Sequence, residues 1–381
     1  MLERFIKKAP EAKAAPPIAS ALPIERLIEA GEGGGSPFAS NVIAYRCVRM
    51  IAEAAASVPL TACEDGAPSG GALTCVLARP NAERTGPEFF EEVYGALQVH
   101  GDAYVEAVRV GGRVTALYAL RPDRVRVEAG PDGWPAGYAY TVGGRTRRIA
   151  RAPDGFMPVL HLRLFDPASD TGGQSPLRAA RVAIETHDAA CRWNRQLLAN
   201  AARPSGAVVH NGPEGAPNLT GEQFDRLKAE LEASFQGGAN AGRPMVLDGG
   251  LAWQPLGLSP AEMDFVALKN SAARDVALAF GVPPQLLGIP GDNTYATYKE
   301  ANLAFWRQSV LPLAGKVAGA LSAWLGAASE TVRVDADEVD ALSAERSERL
   351  SRIVAADFLT DAEKRVALGF SPEPTSGGGR A

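Results

Sequence analysis

An α+β fold with dominant helices is predicted by three features of this 381-residue chain. Apolar residues recur at helical spacing in several long stretches. Four of these stretches open on a Ser or Thr with Glu or Gln three positions later, the capping box that satisfies free backbone donors at a helix start. Between Ala103 and Val142 the pattern changes to short β-branched and aromatic runs split by glycine pairs, which reads as antiparallel hairpins. Finally, Phe280-Gly281-Val282-Pro283-Pro284 stops one helix, and a regular three-four repeat starts another soon after.

Residues 1–40 are rich in Ala, Pro and Gly up to Gly31-Glu32-Gly33-Gly34-Gly35, which predicts a flexible N-terminal arm; 371–381 reads as an equally loose tail. Ile43, Cys47, Met50, Ile51, Ala54, Ala55 and Val58 follow helical spacing until Pro59. Thr85 with Glu88 caps the next helix. Strands follow at Tyr104, Val105, Val108 and Val110, at Val114 and Leu117, at Val125 and Val127, and at Tyr138 and Tyr140, with another over 156–165. Ser175 as N-cap and Pro176 as first helical residue open a helix expected to reach about residue 200. On it Leu177, Ile184, Cys191 and Leu198 share one face, while Arg178, Arg181, Arg192 and Arg195 outnumber Glu185 and Asp188. That charged face reads as solvated or intersubunit, with a DNA contact as the alternative.

After Pro204 a strand is expected over 207–210, a helix over 222–235 striped by Phe224, Leu227, Leu231 and Phe235, and a strand around 245–247. Ser259 with Glu262 opens the helix that ends at Phe280. The hydrophilic loop 289–297, with Gly291, Asp292, Asn293, Thr294 and Tyr295, is either a connector or a moving part aimed at a ligand or pore. From residue 298 a seam of Leu303, Trp306, Val310, Leu313, Val317, Leu321 and Trp324 wants a partner, and Pro312 predicts a kink. The seam is read as core of the subunit, with an interface between subunits as the alternative. A last helical stretch over 342–358 leads to Thr360 with Glu363.

Composition narrows the function. The chain has room for two or three substructures, and 46% hydrophobic with 22% charged residues is a globular balance. A formal net charge of −5 speaks against a surface built to grip nucleic acid, which needs clustered cations facing phosphates. Of 39 basic residues 8 are Lys, so 39 − 8 = 31 are Arg, a bias that with the Ala richness fits a GC-rich coding source. Cys47, Cys63, Cys75 and Cys191 form no CxxC pair, so reduced core thiols are expected. The basic start lacks a signal-peptide core, and no run reaches the roughly 18 apolar residues of a membrane span; a soluble cytoplasmic chain is expected.

No catalytic constellation emerges. Ser175 lies in Gly-Gly-Gln-Ser-Pro, which lacks the second glycine of a nucleophile elbow, and capping already explains it. There is no GxxxxGK[ST], so nucleotide binding has no residue support, and His100, His161, His187 and His210 are scattered without an HExxH pair. The stretch from Asp335 to Asp340 resembles the start of a calcium loop, but Asp340 sits where that loop needs Gly and Arg346 sits at its twelfth position. No cofactor, metal site or enzymatic activity is expected.

The order of elements resembles the portal proteins of tailed double-stranded DNA bacteriophages, of the compact type found in long-tailed phages. The resemblance runs from about Ala44 to Pro374. Its landmarks are Tyr45 to Ala52 leading to Val58-Pro59-Leu60, Leu77-Ala78-Arg79-Pro80-Asn81, His100-Gly101-Asp102-Ala103-Tyr104, Leu120-Arg121-Pro122-Asp123, and His161-Leu162-Arg163. They continue with Gly173-Gln174-Ser175-Pro176-Leu177, Pro204-Ser205-Gly206, Ser259-Pro260, Phe280 to Pro284, and Leu359-Thr360 with Glu363 and Arg365. Each is weak alone; ten in order are specific.

The resemblance implies a homo-oligomeric ring, usually of twelve subunits, at the unique capsid vertex of a virion assembled in the bacterial cytoplasm. Double-stranded DNA would pass through it without sequence readout. It divides the chain into an arm (1–40), a wing (41–174), a first stem helix (175–203), a clip (204–258), a second stem helix (259–288), a tunnel loop (289–297), a long kinked wing helix (298–330), a crown (331–370) and a tail (371–381). Arg178, Arg181, Arg192, Arg195, Asp264, Lys269 and Arg274 would make ring contacts through the stem. Phe224, Leu227, Leu231 and Phe235 would serve docking of large terminase and head-tail adaptor at the clip, and the major capsid protein is a further implied partner. Gly291, Asp292, Asn293, Thr294 and Tyr295 would face DNA. Twelve chains carry 12 × −5 = −60 formal charges, a sign that lets a duplex slide rather than stick. A non-channel tail or baseplate subunit is the structural alternative; an α+β hydrolase, which needs a converging Ser, His and acid, is the enzymatic one. An infectious phage, a prophage and a gene transfer particle are all compatible sources.

Overall fold

The computed structural model describes residues 37–64, 67–131, 133–199, 206–210, 220–223, 225–226, 228–229, 251–255, 265–291, 294–326 and 330–368. The expected arm up to residue 36, most of 204–258, Asp264, Asp292, Asn293 and the tail lie outside them.

A short helix α1 (Pro37–Ser40) leads into α2 (Val42–Ser57). Asn41 starts α2 by accepting from the amides of Ile43 and Ala44, each at 3.0 Å, and the chain turns extended at Val58, before Pro59. Its buried face, Ala44, Cys47, Val48, Ile51 and Ala55, keeps three-four spacing. Strand β1 (Leu60–Glu64), β2 (Ala67–Pro68) and α3 (Ala72–Ala78) precede α4 (Gly86–His100). Helix α4 opens as the sequence predicts: Glu88 accepts from the Thr85 amide at 2.9 Å and from its hydroxyl at 2.8 Å. Phe89, Val93, Tyr94 and Leu97 pack from α4 into the main core that α2 also lines, and Phe89, Val93 and Leu97 each contribute about 1.5–3 kcal/mol by leaving water.

The expected β region is two antiparallel three-stranded sheets. The first orders β4 (Arg113–Leu120), β3 (Asp102–Val110) and β8 (Val159–Arg163); the second orders β5 (Val125–Ala129), β6 (Pro135–Val142) and β7 (Arg145–Ala150). Tyr104, Leu120, Tyr138, Ile149 and Val159 form a small core between them.

Beyond the helix pair described below, α8 (Tyr295–Phe305) and α9 (Leu311–Leu325) carry the long seam. Val310, Leu313, Val317 and Leu321 are buried in the main core, so the seam is core of the subunit. Pro312 is accommodated by a π turn over Trp306–Val310 directly before α9. The wider turn relieves the clash that a proline ring makes with the carbonyl four residues back.

Strand β11 (Glu330–Val334) then returns across the whole chain to pair with β1, from Leu60↔Val334 to Glu64↔Glu330. Helices α10 (Ser343–Val354) and α11 (Asp361–Ala367) complete the described chain, α11 with the expected Thr360 and Glu363 capping box. No helix among the described residues is long and apolar enough to cross a membrane.

Candidate functional site

Two helices frame the candidate site. Ser175 Oγ accepts from the Arg178 amide at 3.0 Å and starts a first turn, α5 (Pro176–Ala179), and the helix resumes as α6 (Arg181–Ala199). The single helix expected here is thus interrupted at Ala180. The partner is α7 (Phe265–Phe280). Leu177 and Ile184 share a core with Val276 and Phe280, and Trp193 stacks on Phe265 with ring centroids 5.5 Å apart, so the pair runs antiparallel. Between them, β9 (Gly206–His210) and β10 (Leu251–Pro255) pair antiparallel. β9 lies where a strand was expected; β10 was not foreseen, and the expected strand around 245–247 lies outside the described residues. Phe224, Leu227, Leu231 and Phe235 also lie outside them, although the Thr220 amide donates to Gln223 Oε1 at 3.0 Å as the capping pattern requires.

The helix pair is anchored to the sheet by a close backbone approach. A Cβ on Gly101, whose φ is +81°, would stand 2.3 Å from the Gly173 carbonyl oxygen, and one on Gly173 would stand 2.1 Å from the Gly101 oxygen. Beside this contact Asp102 Oδ1 accepts from the Gly173 amide at 2.9 Å and lies 2.8 Å from Nε2 of the half-buried His161.

Helix α7 stops as the sequence predicts. Gly281 takes φ +66°, and the Val282 amide donates to the Ala277 oxygen at 2.9 Å. Ser309 of the π turn locks this cap by donating to the Gly281 oxygen at 2.6 Å. A 3-10 turn over Pro284–Leu287 ends at Gly288, also left-handed. Ile289 is buried against Ala273 and Ala277, and Arg274 Nη2 donates to the Pro290 oxygen. The first part of the expected loop, 289–291, is therefore pinned to α7. Thr294 accepts from the Thr297 amide at 3.2 Å and caps α8, which therefore begins at Tyr295, not at 298. Tyr295 is 86% exposed at that helix start.

Arg178, Arg181, Arg195 and Arg274 are exposed, and Arg192 and Lys269 are half-buried. They are not gathered: Arg178 and Arg181 lie toward the Phe280 end of the pair, Arg192, Arg195 and Lys269 toward the Trp193 end. Arg181 Nε sits 3.9 Å from Glu185 Oε1 within its own helix. Sequence reasoning passed over the exposed apolar residues Val182, Val266 and Leu278, 68%, 70% and 77% exposed. Their signal was present as apolar residues off the buried stripe of each helix.

The phage portal protein family matches residues 43–369. A chain in the neck of an empty gene transfer agent (GTA) particle, computed with C6 symmetry, superposes with a TM-score of 0.69 at 45% identity, covering 94% of this chain and 97% of that one. A chain from the neck of the native GTA particle with C12 symmetry gives 0.68 at 47% identity, over 88% and 92%. The portal protein of Enterobacteria phage HK97 is 26% identical over 77% of this chain and 69% of its own length. With the family matched across residues 43–369 and a GTA neck chain superposing over 94% of its length, this chain belongs to the phage portal protein family.

Proposed function

We propose that this chain is one subunit of a twelve-membered ring at the unique vertex of a capsid, the conduit through which double-stranded DNA enters and leaves. The observation that carries the reading is its 47% identity over 88% of the chain to a protein in a C12-symmetric GTA neck. In this reading residues 41–174 and 298–330 are the wing, α5, α6 and α7 the stem, 204–258 the clip, and 331–370 the crown. Large terminase supplies the work of packaging, because this chain carries no phosphate-cradling motif. A head-tail adaptor docks at the clip and the major capsid protein surrounds the wing. The particle assembles in the bacterial cytoplasm, and the similarity to GTA necks favours a gene transfer particle.

The DNA-facing segment is the loop around Gly291 to Tyr295. It carries Asp292 but no Arg or Lys, and the acidic balance of the whole chain, −5, supports weak rather than tight contact with phosphates. The exposed Val182, Val266 and Leu278 give the stem an apolar complement to its charged ring contacts. Negative-stain images of the purified chain test the assembly: an axial hole with rotational symmetry is expected, and monodisperse monomers or solid discs overturn it. Replacement of Asp292 by Ala or Tyr295 by Ala tests the loop; rings form normally while packaged or retained DNA falls, and normal packaging by both variants removes the assignment.

A further inference from the structure

A cavity of about 540 Å³ is built from three separated parts of the chain: the hairpin between β5 and β6, the segment that follows β8, and α9. Trp134 and Phe165 line it while 66% and 82% exposed, an aromatic surface that the subunit leaves open to water. Two cations line it as well. Arg163 donates to the carbonyl oxygen of Asp170 and not to a carboxylate, and Lys316 has no hydrogen bond or ion pair among the described residues. Partial burial first, and the nearby Arg163 charge second, hold the Lys316 ammonium below the usual lysine range. Asp166 and Asp170 share the lining, but Asp166 Oδ1 turns to the Ala168 amide at 2.9 Å. Two cations beside open aromatic rings fit a carboxylate that neighbours an aromatic side chain. A polyphosphate chain fits less well, because it would also meet both Asp carboxylates.

The same chain presents that combination elsewhere. Asp357 and Phe358 form the turn between α10 and α11, held by the Leu359 amide donating to the Ala356 oxygen at 3.4 Å and by the Thr360 cap. Phe358 is 85% exposed. Asp357 is exposed and has no hydrogen bond or ion pair among the described residues. Among those residues none beyond Lys316 lines the cavity, so the turn does not fill the cavity of its own subunit. Two unlike, complementary patches on one chain make a head-to-tail contact, the kind that closes into a ring.

Resting on the ring reading, we propose that the Asp357–Phe358 turn of each subunit seats in this cavity of the next. The Phe358 ring lies against Trp134 and Phe165, and the Asp357 carboxylate comes between Lys316 and Arg163. An aromatic anchor beside a charge contact is the composition of an interface hot spot.

A photo-reactive phenylalanine analogue at position 358 tests the contact in assembled full-length rings. The rings are co-assembled from chains carrying the analogue and isotope-labelled chains without it. Links from position 358 to residues 133–134, 163–172 or 316 of a labelled chain are expected. Rings that link elsewhere, or only within one chain, overturn the contact and leave the ring standing; wild-type chain that forms no rings overturns both. A charge exchange covers the case in which the analogue blocks assembly. Lys316→Glu and Asp357→Lys are each expected to raise the protein concentration for half-assembly about tenfold, and the double variant to return it to within about threefold of wild type. Additive losses overturn the contact. Both residues are exposed, so denaturant unfolding of each single variant is expected to match wild type, which keeps loss of assembly distinct from loss of fold.

Discussion

The Arg274 guanidinium donates from Nη2 to the carbonyl oxygen of Pro290, fastening the start of the loop to the solvent face of the helix that precedes it. The same Nη2 would lie 2.8 Å from a Cβ on Gly291, so the position next to the hydrogen bond has room only for glycine unless the arginine moves. A residue expected to make ring contacts and a residue expected to face DNA are thus neighbours in one subunit.

Arg274→Met removes the donor and keeps the length of the side chain. Faster hydrogen exchange at Gly291 is expected, with Ile289 still buried and ring formation intact. Loss of rings instead assigns Arg274 to the subunit interface.

Gly101→Ala and Gly173→Ala place a methyl group 2.3 Å and 2.1 Å from backbone oxygens of the facing segment. Neither carbonyl is the end of a flexible side chain, and Gly101 also takes a left-handed φ, so each substitution is expected to cost about 3 kcal/mol or more. Denaturant unfolding measures this. Gly111→Ala, at φ +58° but with open space around it, isolates the backbone term and is expected to cost about 1 kcal/mol.

The parts of the fold that were legible in the sequence are those written in local chemistry. Thr85 with Glu88, Ser175 with Pro176, Gly281 before Pro283 and Thr360 with Glu363 all act within a few residues, and each sits at a helix end. What was hidden depends on distant partners. The strand Leu60–Glu64 is too short to show a period, and its partner Glu330–Val334 lies at the other end of the chain. Tyr295 was placed in the loop because its hydrophilic surroundings resemble a connector; the Thr294 and Thr297 cap, made of two threonines rather than Thr and Glu, pulls it into the helix. The site's charged residues were found by type, but their spread along both ends of the helix pair follows from packing between α6 and α7. Val182, Val266 and Leu278 stand in the sequence as apolar residues off the helical stripe, and packing between α6 and α7 shows that they stay exposed.

Acid should loosen two helix starts. Hydrogen bonds from the Thr85 amide and hydroxyl hold the Glu88 carboxyl below the usual carboxylate range, and those from Thr360 do the same for Glu363. A carboxyl depressed in the folded state contributes stability above its unfolded pKa, and that contribution is lost as pH falls through the folded value. Exchange at the first amides of α11 is therefore expected to speed up, beyond the intrinsic pH dependence, as pH drops below about 4. Glu363→Gln, which accepts hydrogen bonds without titrating, flattens this response.

Asn41 joins α2 to α6. Its Oδ1 caps α2, while Nδ2 donates to Asp188 Oδ1 at 2.7 Å and lies 3.2 Å from Nδ1 of the buried His187. Asn41 is itself 1% exposed, so water does not reach its place at the cap, while the Asp188 side chain is 24% exposed. Asn41→Ala loses a cap, about 1 kcal/mol, and leaves the Asp188 carboxylate short of a donor, another 1–2 kcal/mol; a total loss of about 2–3 kcal/mol is expected in denaturant unfolding. Asn41→Asp separates the two roles: the new carboxylate still caps α2 but faces Asp188 with like charge. Pairing it with Asp188→Asn, which turns the acceptor into a donor, restores the contact with polarity reversed. The double variant is expected to recover at least about 1 kcal/mol over Asn41→Asp alone. Without recovery, the link between the helices is packing, and the hydrogen bond to Asp188 contributes nothing to it.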